Sequence, residues 1–60
     1  MKIGDKFKIK YNVSNHYFEI GEVITLVSFK EDNLKYGKIW KAVNSKNKSY
    51  NISELDLEKM

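Results

Sequence analysis

No cysteine occurs in this chain, and in a protein of 60 residues that absence constrains the fold more than any other feature of the sequence. A domain of this size buries only about 60% of the surface that its unfolded chain exposes, so small domains often depend on disulfides or metals. Without thiols, disulfide bonds and thiolate metal sites are excluded. Packing must therefore hold the fold, and the sequence supplies four tyrosines, three phenylalanines and one tryptophan for it.

Alternation of apolar and polar residues predicts the first strands. Residues 6–11 alternate strictly, with Phe7, Ile9 and Tyr11 on one face and lysines on the other. Residues 12–20 break this pattern and predict a long, partly ordered loop before a bend. The β-branched residues of 22–29 then predict a bent second strand.

The remaining residues predict a β-meander that ends in a helical turn. In order, we expect a turn over 30–37, a third strand over 38–44, a fourth strand over 49–52, a capped 3₁₀ turn over 53–56 and a short closing strand. The expected fold is all-β: a single domain over residues 1–60, forming a small five-stranded barrel with a long first loop and one 3₁₀ turn before the last strand.

Three segments carry a resemblance to a known fold family. They are Ile3-Gly4-Asp5-Lys6-Phe7-Lys8-Ile9, the run from His16 through Phe18 and Gly21 to Leu26, and Tyr50-x-Ile52 with Asp56-Leu57-Glu58. In order and spacing they resemble the small SH3-like barrels, and among them tiny proteins encoded by bacteriophages, prophages and other mobile elements. The resemblance implies an SH3-like fold. It does not extend to recognition of proline-rich peptides, since the early loop lacks an acidic stretch and the last turn lacks a proline.

Hydropathy bears on where the protein acts. No run approaches the roughly 20 apolar residues of a membrane span, and the first residues lack the apolar stretch of a signal peptide. We therefore expect a cytoplasmic protein of a bacterial host cell that does not bind membranes.

His16 is the single histidine and the first candidate for chemistry. A metal site there would need carboxylates, and Glu19 and Glu22 are the nearest. We favour instead a histidine that hydrogen-bonds the loop backbone. The other acids fall in turns or at the chain end, where they do not form the desolvated pair that general acid–base catalysis needs. We expect no enzyme activity, no metal site and no cofactor.

Exposed aromatic and apolar side chains favour a protein-binding module. Tyr11, Tyr17 and Tyr36 lie at predicted strand ends or in loops, where tyrosines serve as interface anchors. If Trp40 fills the core, Ile39 and Val43 face outward and form an apolar strip. We expect these five residues to contact a host or viral protein, with the domain itself a monomer or weak homodimer.

The alternative hypothesis is nucleic-acid binding. Five lysines crowd the predicted hairpin with no acid between the first and the last: Lys35, Lys38, Lys41, Lys46 and Lys48. With aromatic neighbours they form a pattern typical of surfaces that contact DNA or RNA backbones and stack on bases. The chain has no arginine, which favours binding without sequence specificity. Such lysines also serve simply as a solvated face that keeps strand edges from aggregating.

Overall fold

A computed structural model describes residues 2–59, which form five antiparallel strands and one 3₁₀ turn. The elements are β1 (Lys6–Ile9), β2 (Val23–Asn33), β3 (Gly37–Asn44), β4 (Ser49–Ser53), η1 (Glu54–Asp56) and β5 (Leu57–Lys59). They form one sheet in the order β4-β3-β2-β1-β5. The predictions of an all-β fold, of five strands and of a 3₁₀ turn before the last strand are confirmed. Within residues 2–59 no ladder joins β4 to β5, so hydrogen bonding leaves the sheet open.

The core lies on one face of this sheet. It consists of side chains from β1 to β4 together with one phenylalanine of the loop between β1 and β2: Phe7, Ile9, Phe18, Ile24, Leu26, Trp40, Ala42 and Ile52. Trp40 is buried there beside Ala42, as predicted from their shared face on β3. Phe18 reaches the core although its segment lacks strand periodicity, because the loop folds back over the sheet.

Strand β2 is longer than its sequence predicted. It runs 11 residues, because Glu31, Asp32 and Asn33 pair with the start of β3 where a turn was expected. The register shifts twice, leaving Val27 and Lys30 as extra residues of β-bulges. Bulges bend and twist a strand, so they change the direction of β2 after its last core residue, Leu26.

The predicted first strand is too long at its end. The structure ends β1 at Ile9, because the backbone N–H groups of Lys10 and Tyr11 both donate to the carbonyl of Asp56 and not to a neighbouring strand. Tyr11 consequently lies beyond the end of β1, and its side chain is 52% exposed, unlike those of Phe7 and Ile9.

Asp56 anchors the loop between β1 and β2 to the end of the sheet. Its side chain is fully buried and accepts hydrogen bonds from the backbone of Val13 and the hydroxyl of Ser14. It also accepts the backbone N–H of Ser53, while the Ser53 hydroxyl accepts the N–H of Leu55. This capping box starts the 3₁₀ turn and at the same time fixes a loop more than forty positions earlier in the chain.

A membrane-spanning helix is absent from residues 2–59, since no helix there has the length and apolarity to cross a bilayer.

Replacing Asp56 by Asn tests this anchor. A neutral amide accepts weaker hydrogen bonds and turns its NH₂ group toward donors, so we expect Asp56→Asn to lower the free energy of unfolding by about 2–3 kcal/mol. Urea denaturation measures this difference. The control Asp32→Asn changes an exposed aspartate of β2 and should stay within about 0.5 kcal/mol of the wild type. Equal stability of the two variants would contradict the anchoring role.

Candidate functional site

A cleft lies between the loop that precedes β2 and the β2–β3–β4 part of the sheet. Its volume is about 620 Å³. The lining residues are 14–17 of the loop, 49–52 of β4, and Glu31, Asn33, Tyr36, Ile39 and Lys41 of the β2–β3 hairpin. We call it the tyrosine cleft, because Tyr17, Tyr36 and Tyr50 all line it.

Local hydrogen bonds shape the loop wall of the tyrosine cleft. The Asn12 side chain accepts the backbone N–H of His16 at 2.8 Å, and His16 Nε2 lies 2.7 Å from the carbonyl oxygen of Tyr11. A carbonyl only accepts, so Nε2 is the nitrogen that carries the proton. The predicted role of His16, hydrogen bonding to the loop backbone, is confirmed. Its Nδ1 is buried and has no hydrogen-bond partner among residues 2–59.

Aromatic contacts join this wall to β4. The ring centroids of Tyr17 and Tyr50 lie 5.4 Å apart, and Phe18 meets the same Tyr50 ring edge-on at 5.1 Å. Phe18 is buried whereas Tyr17 is 80% exposed. Tyr17 therefore presents a large aromatic surface that is held in place from one side only, as an interface anchor does.

The opposite end of the tyrosine cleft is fixed by the turn between β2 and β3. The side chain of Asn33 accepts the backbone N–H groups of Lys35 and Tyr36, and the Tyr36 carbonyl accepts the hydroxyl of Ser53. Gly37 follows with φ +72, and a Cβ atom there would meet a side-chain oxygen of Glu54 at 2.8 Å. The positive φ favours glycine at this position, whereas the contact with Glu54 involves the end of a flexible side chain that can move aside.

The expectation that Ile39 and Val43 form an exposed apolar strip is wrong for Ile39. Ile39 is 8% exposed and lies at the bottom of the tyrosine cleft. It does lie on the sheet face opposite Trp40, as alternation requires, but its own side chain is buried there. Val43 is half-buried and lines a separate, shallower depression with Val27 and Lys41.

Three of the five residues predicted to bind a protein come together in the tyrosine cleft: Tyr17, Tyr36 and Ile39. Tyr11 and Val43 lie outside it. Sequence reasoning missed Tyr50 as a lining residue, although its place in a short strand after a polar turn was a usable signal. It also missed the polar residues of the loop wall, because their position depends on long-range hydrogen bonds to Asp56.

The predicted lysine cluster is divided by the sheet. Lys38 and Lys41 are three residues apart on β3 and so project from opposite faces. Lys38 pairs with Asp32, an acid that the sequence places outside the lysine segment. Lys46 and Lys48 occupy the turn at the far end of β3, away from Lys35. Among the five predicted lysines, Lys41 alone lines the tyrosine cleft.

No group of three or more His, Asp or Glu side chains within residues 2–59 is arranged to hold a metal ion. The tyrosine cleft itself contains one carboxylate, that of Glu31, and one ammonium group, that of Lys41.

Comparison of this chain with protein-family models, with curated proteins and with solved structures found no match in any of the three.

Proposed function

We propose that this protein is a non-enzymatic protein-binding module, and that it binds a segment of its partner in the tyrosine cleft. The main support is the exposed ring of Tyr17, which packs against the Tyr50 ring at a tilted angle in a cleft whose bottom is Ile39. Such a cleft combines an apolar floor, aromatic walls and amide groups that give hydrogen bonds, which is the composition of protein interfaces.

The polar groups of the tyrosine cleft suit a polypeptide more than a small charged ligand. Asn15, Asn33 and Asn51 lie on its lining, and amide side chains both donate and accept hydrogen bonds, as a peptide backbone does. The charges of Glu31 and Lys41 are of opposite sign, so the lining offers no single-sign field for an anion or a cation.

We further propose that the open five-stranded sheet belongs with the SH3-like barrels, and that the protein is a cytoplasmic accessory of a phage or mobile element that binds a host or viral protein. The five antiparallel strands, the long first loop and the capped 3₁₀ turn support the first part. The second part rests on the resemblance of the opening strand, loop and closing segments to such proteins.

Two tyrosine variants test the tyrosine cleft. We expect Tyr17→Ala to reduce capture of the partner from a bacterial lysate at least about tenfold, because a central aromatic anchor contributes about 2 kcal/mol or more to binding. Quantitative mass spectrometry of the captured proteins measures the loss. Tyr11→Ala is the matched control, since Tyr11 is exposed but lies outside the cleft. Thermal unfolding of both variants verifies that they fold. Equal capture by the two variants would contradict the assignment.

A second candidate function, nucleic-acid binding, is favoured by one feature of the outer sheet face. Lys6 pairs with Thr25, Thr25 pairs with Val43, and Lys41 lies two residues before Val43, so Lys6 and Lys41 project from the same face. Lys8 lies on this face as well, opposite Glu58. These three lysines share the face with Glu58 and with Glu31, which pairs with Ile39, and of the three only Lys41 belongs to the hairpin set that the sequence predicted.

Charge reversal distinguishes this second function. If nucleic acid binds the outer face, Lys6→Glu combined with Lys41→Glu should weaken binding to mixed-sequence DNA. The slope of log K against log salt should become shallower by about 0.9 for each phosphate that the variant no longer neutralises. Fluorescence anisotropy at roughly 50 to 200 mM salt measures the slope. The control variant combines Lys35→Glu with Lys38→Glu, two lysines near the turn between β2 and β3. It should leave the slope of the wild type nearly unchanged. No binding by the wild type in this range excludes the function.

A further inference from the structure

Strand β4 is an edge of the sheet. It pairs with β3 over Ser49–Ser53, and no strand lies on its other side within residues 2–59. Natural proteins protect such edges with proline, lysine or a bulge. None of these occurs inside β4, whose residues are Ser49, Tyr50, Asn51, Ile52 and Ser53, and its register with β3 is unbroken. Its free side is therefore able to accept another strand.

The hydrogen-bonding pattern between β3 and β4 shows which backbone N–H and C=O groups point to that free side. Residues that face each other in an antiparallel pair alternate between pairs that exchange hydrogen bonds and pairs whose N–H and C=O groups point outward. The N–H of Asn44 donates to the carbonyl of Lys48, so that pair is bonded. Counting along the register, Tyr50 and Ile52 are bonded to β3, whereas Ser49 and Asn51 direct their backbone groups outward.

A hydrogen bond of Ser53 agrees with this alternation of bonded and outward-pointing residues. By the same alternation the N–H of Ser53 points away from β3, and that N–H donates to the buried carboxylate of Asp56. The anchor thus occupies one outward donor of β4. The outward groups of Ser49 and Asn51 take part in no backbone–backbone hydrogen bond outside the β3 ladder within residues 2–59, and both residues are exposed.

The tyrosine cleft runs along the same strand. Its lining includes Ser49, Tyr50, Asn51 and Ile52, which are four of the five residues of β4. A chain lying in this cleft therefore has the outward backbone groups of β4 on one side and the exposed ring of Tyr17 on the other.

The charges that flank β4 differ at its two ends. Lys46 and Lys48 precede the strand, and Glu54 follows it. In an antiparallel arrangement the C-terminal end of an added strand lies beside the start of β4, and its N-terminal end lies beside η1. Charge complementarity then favours an added strand with an acidic C-terminal end.

We propose that the partner segment binds as an extended strand added antiparallel to β4, with backbone hydrogen bonds to Ser49 and Asn51 and an acidic residue near its C-terminal end. This inference rests on the proposed protein-binding function and names how the partner is bound. Main-chain hydrogen bonds supply the affinity in such complexes, and side-chain contacts with Tyr17 and Tyr50 supply the selectivity.

Proline at position 51 tests the strand addition directly. The N–H of Asn51 points away from β3, so Asn51→Pro keeps the β3–β4 ladder and removes the donor that the added strand needs. The matched control, Asn51→Ala, removes the side chain and keeps that donor. The probe is a library of random twelve-residue peptides displayed on beads and selected on the wild-type protein, with affinities measured by calorimetry.

We expect enriched peptides to carry Asp or Glu toward the C-terminal end, and to bind Asn51→Pro at least about tenfold more weakly than Asn51→Ala, as the loss of a backbone hydrogen bond and a steric block implies. Amide hydrogen exchange of the wild type gives a second measure that needs no variant. The Asn51 amide should exchange rapidly in the free protein and slowly with peptide bound, while Tyr50 and Ile52 are protected in both states.

The outcomes separate the two proposals. If no peptide is enriched, the peptide-binding function of the tyrosine cleft and the strand addition both fail. If peptides bind both variants equally and the Asn51 amide stays unprotected, strand addition fails while the cleft function stands. If the Asn51 amide becomes protected at high protein concentration without peptide, β4 pairs with a second copy of this chain, and the proposal of a separate partner segment is overturned.

Discussion

The buried carboxylate of Asp56 is the interaction on which the arrangement of loop, turn and sheet depends. Burying a carboxylate is costly unless hydrogen-bond donors surround it, and here Val13, Ser14 and Ser53 supply them. The loop must therefore fold back over the 3₁₀ turn for the acid to be tolerated. This return places Tyr17 beside β4 and creates one wall of the tyrosine cleft. A structural requirement of the fold thus determines the geometry of the candidate site.

Much of the fold could be predicted from local patterns, and the parts that could not depend on long-range contacts. Alternation placed Trp40 in the core, and the Ser53-to-Asp56 spacing predicted the capped turn, because both signals act over a few residues. The bulges of β2 have no such signal. Each adds one residue to one strand only, so the extra Val27 brings Phe29 opposite Trp40 where simple alternation from Leu26 would not place it.

Some residues of the candidate site were predictable one by one, but their assembly into a cleft was not. Exposed loop tyrosines identified Tyr17 and Tyr36, and alternation assigned Ile39 to the face opposite Trp40. The burial of Ile39 could not be inferred from alternation, because alternation assigns a residue to a face of the strand and does not show whether that position is covered. For the lysines the error was the opposite one, because the sequence predicted a single cluster that the structure does not form. Their closeness in sequence suggested one patch, whereas the two faces of a strand separate Lys38 from Lys41.

The open edge of β4 and the anchor of Asp56 are two results of the same geometry. An antiparallel strand directs every second residue's backbone groups away from its partner, so a terminal strand always carries unpaired groups unless something covers them. In β4 the Asp56 carboxylate satisfies the last of these donors, and the loop that this carboxylate holds forms the opposite wall of the tyrosine cleft along the rest of the strand. The edge is consequently neither closed into a barrel by hydrogen bonds nor left on a flat surface. It lies in a cleft with aromatic walls, where an entering strand would gain backbone hydrogen bonds and side-chain contacts together.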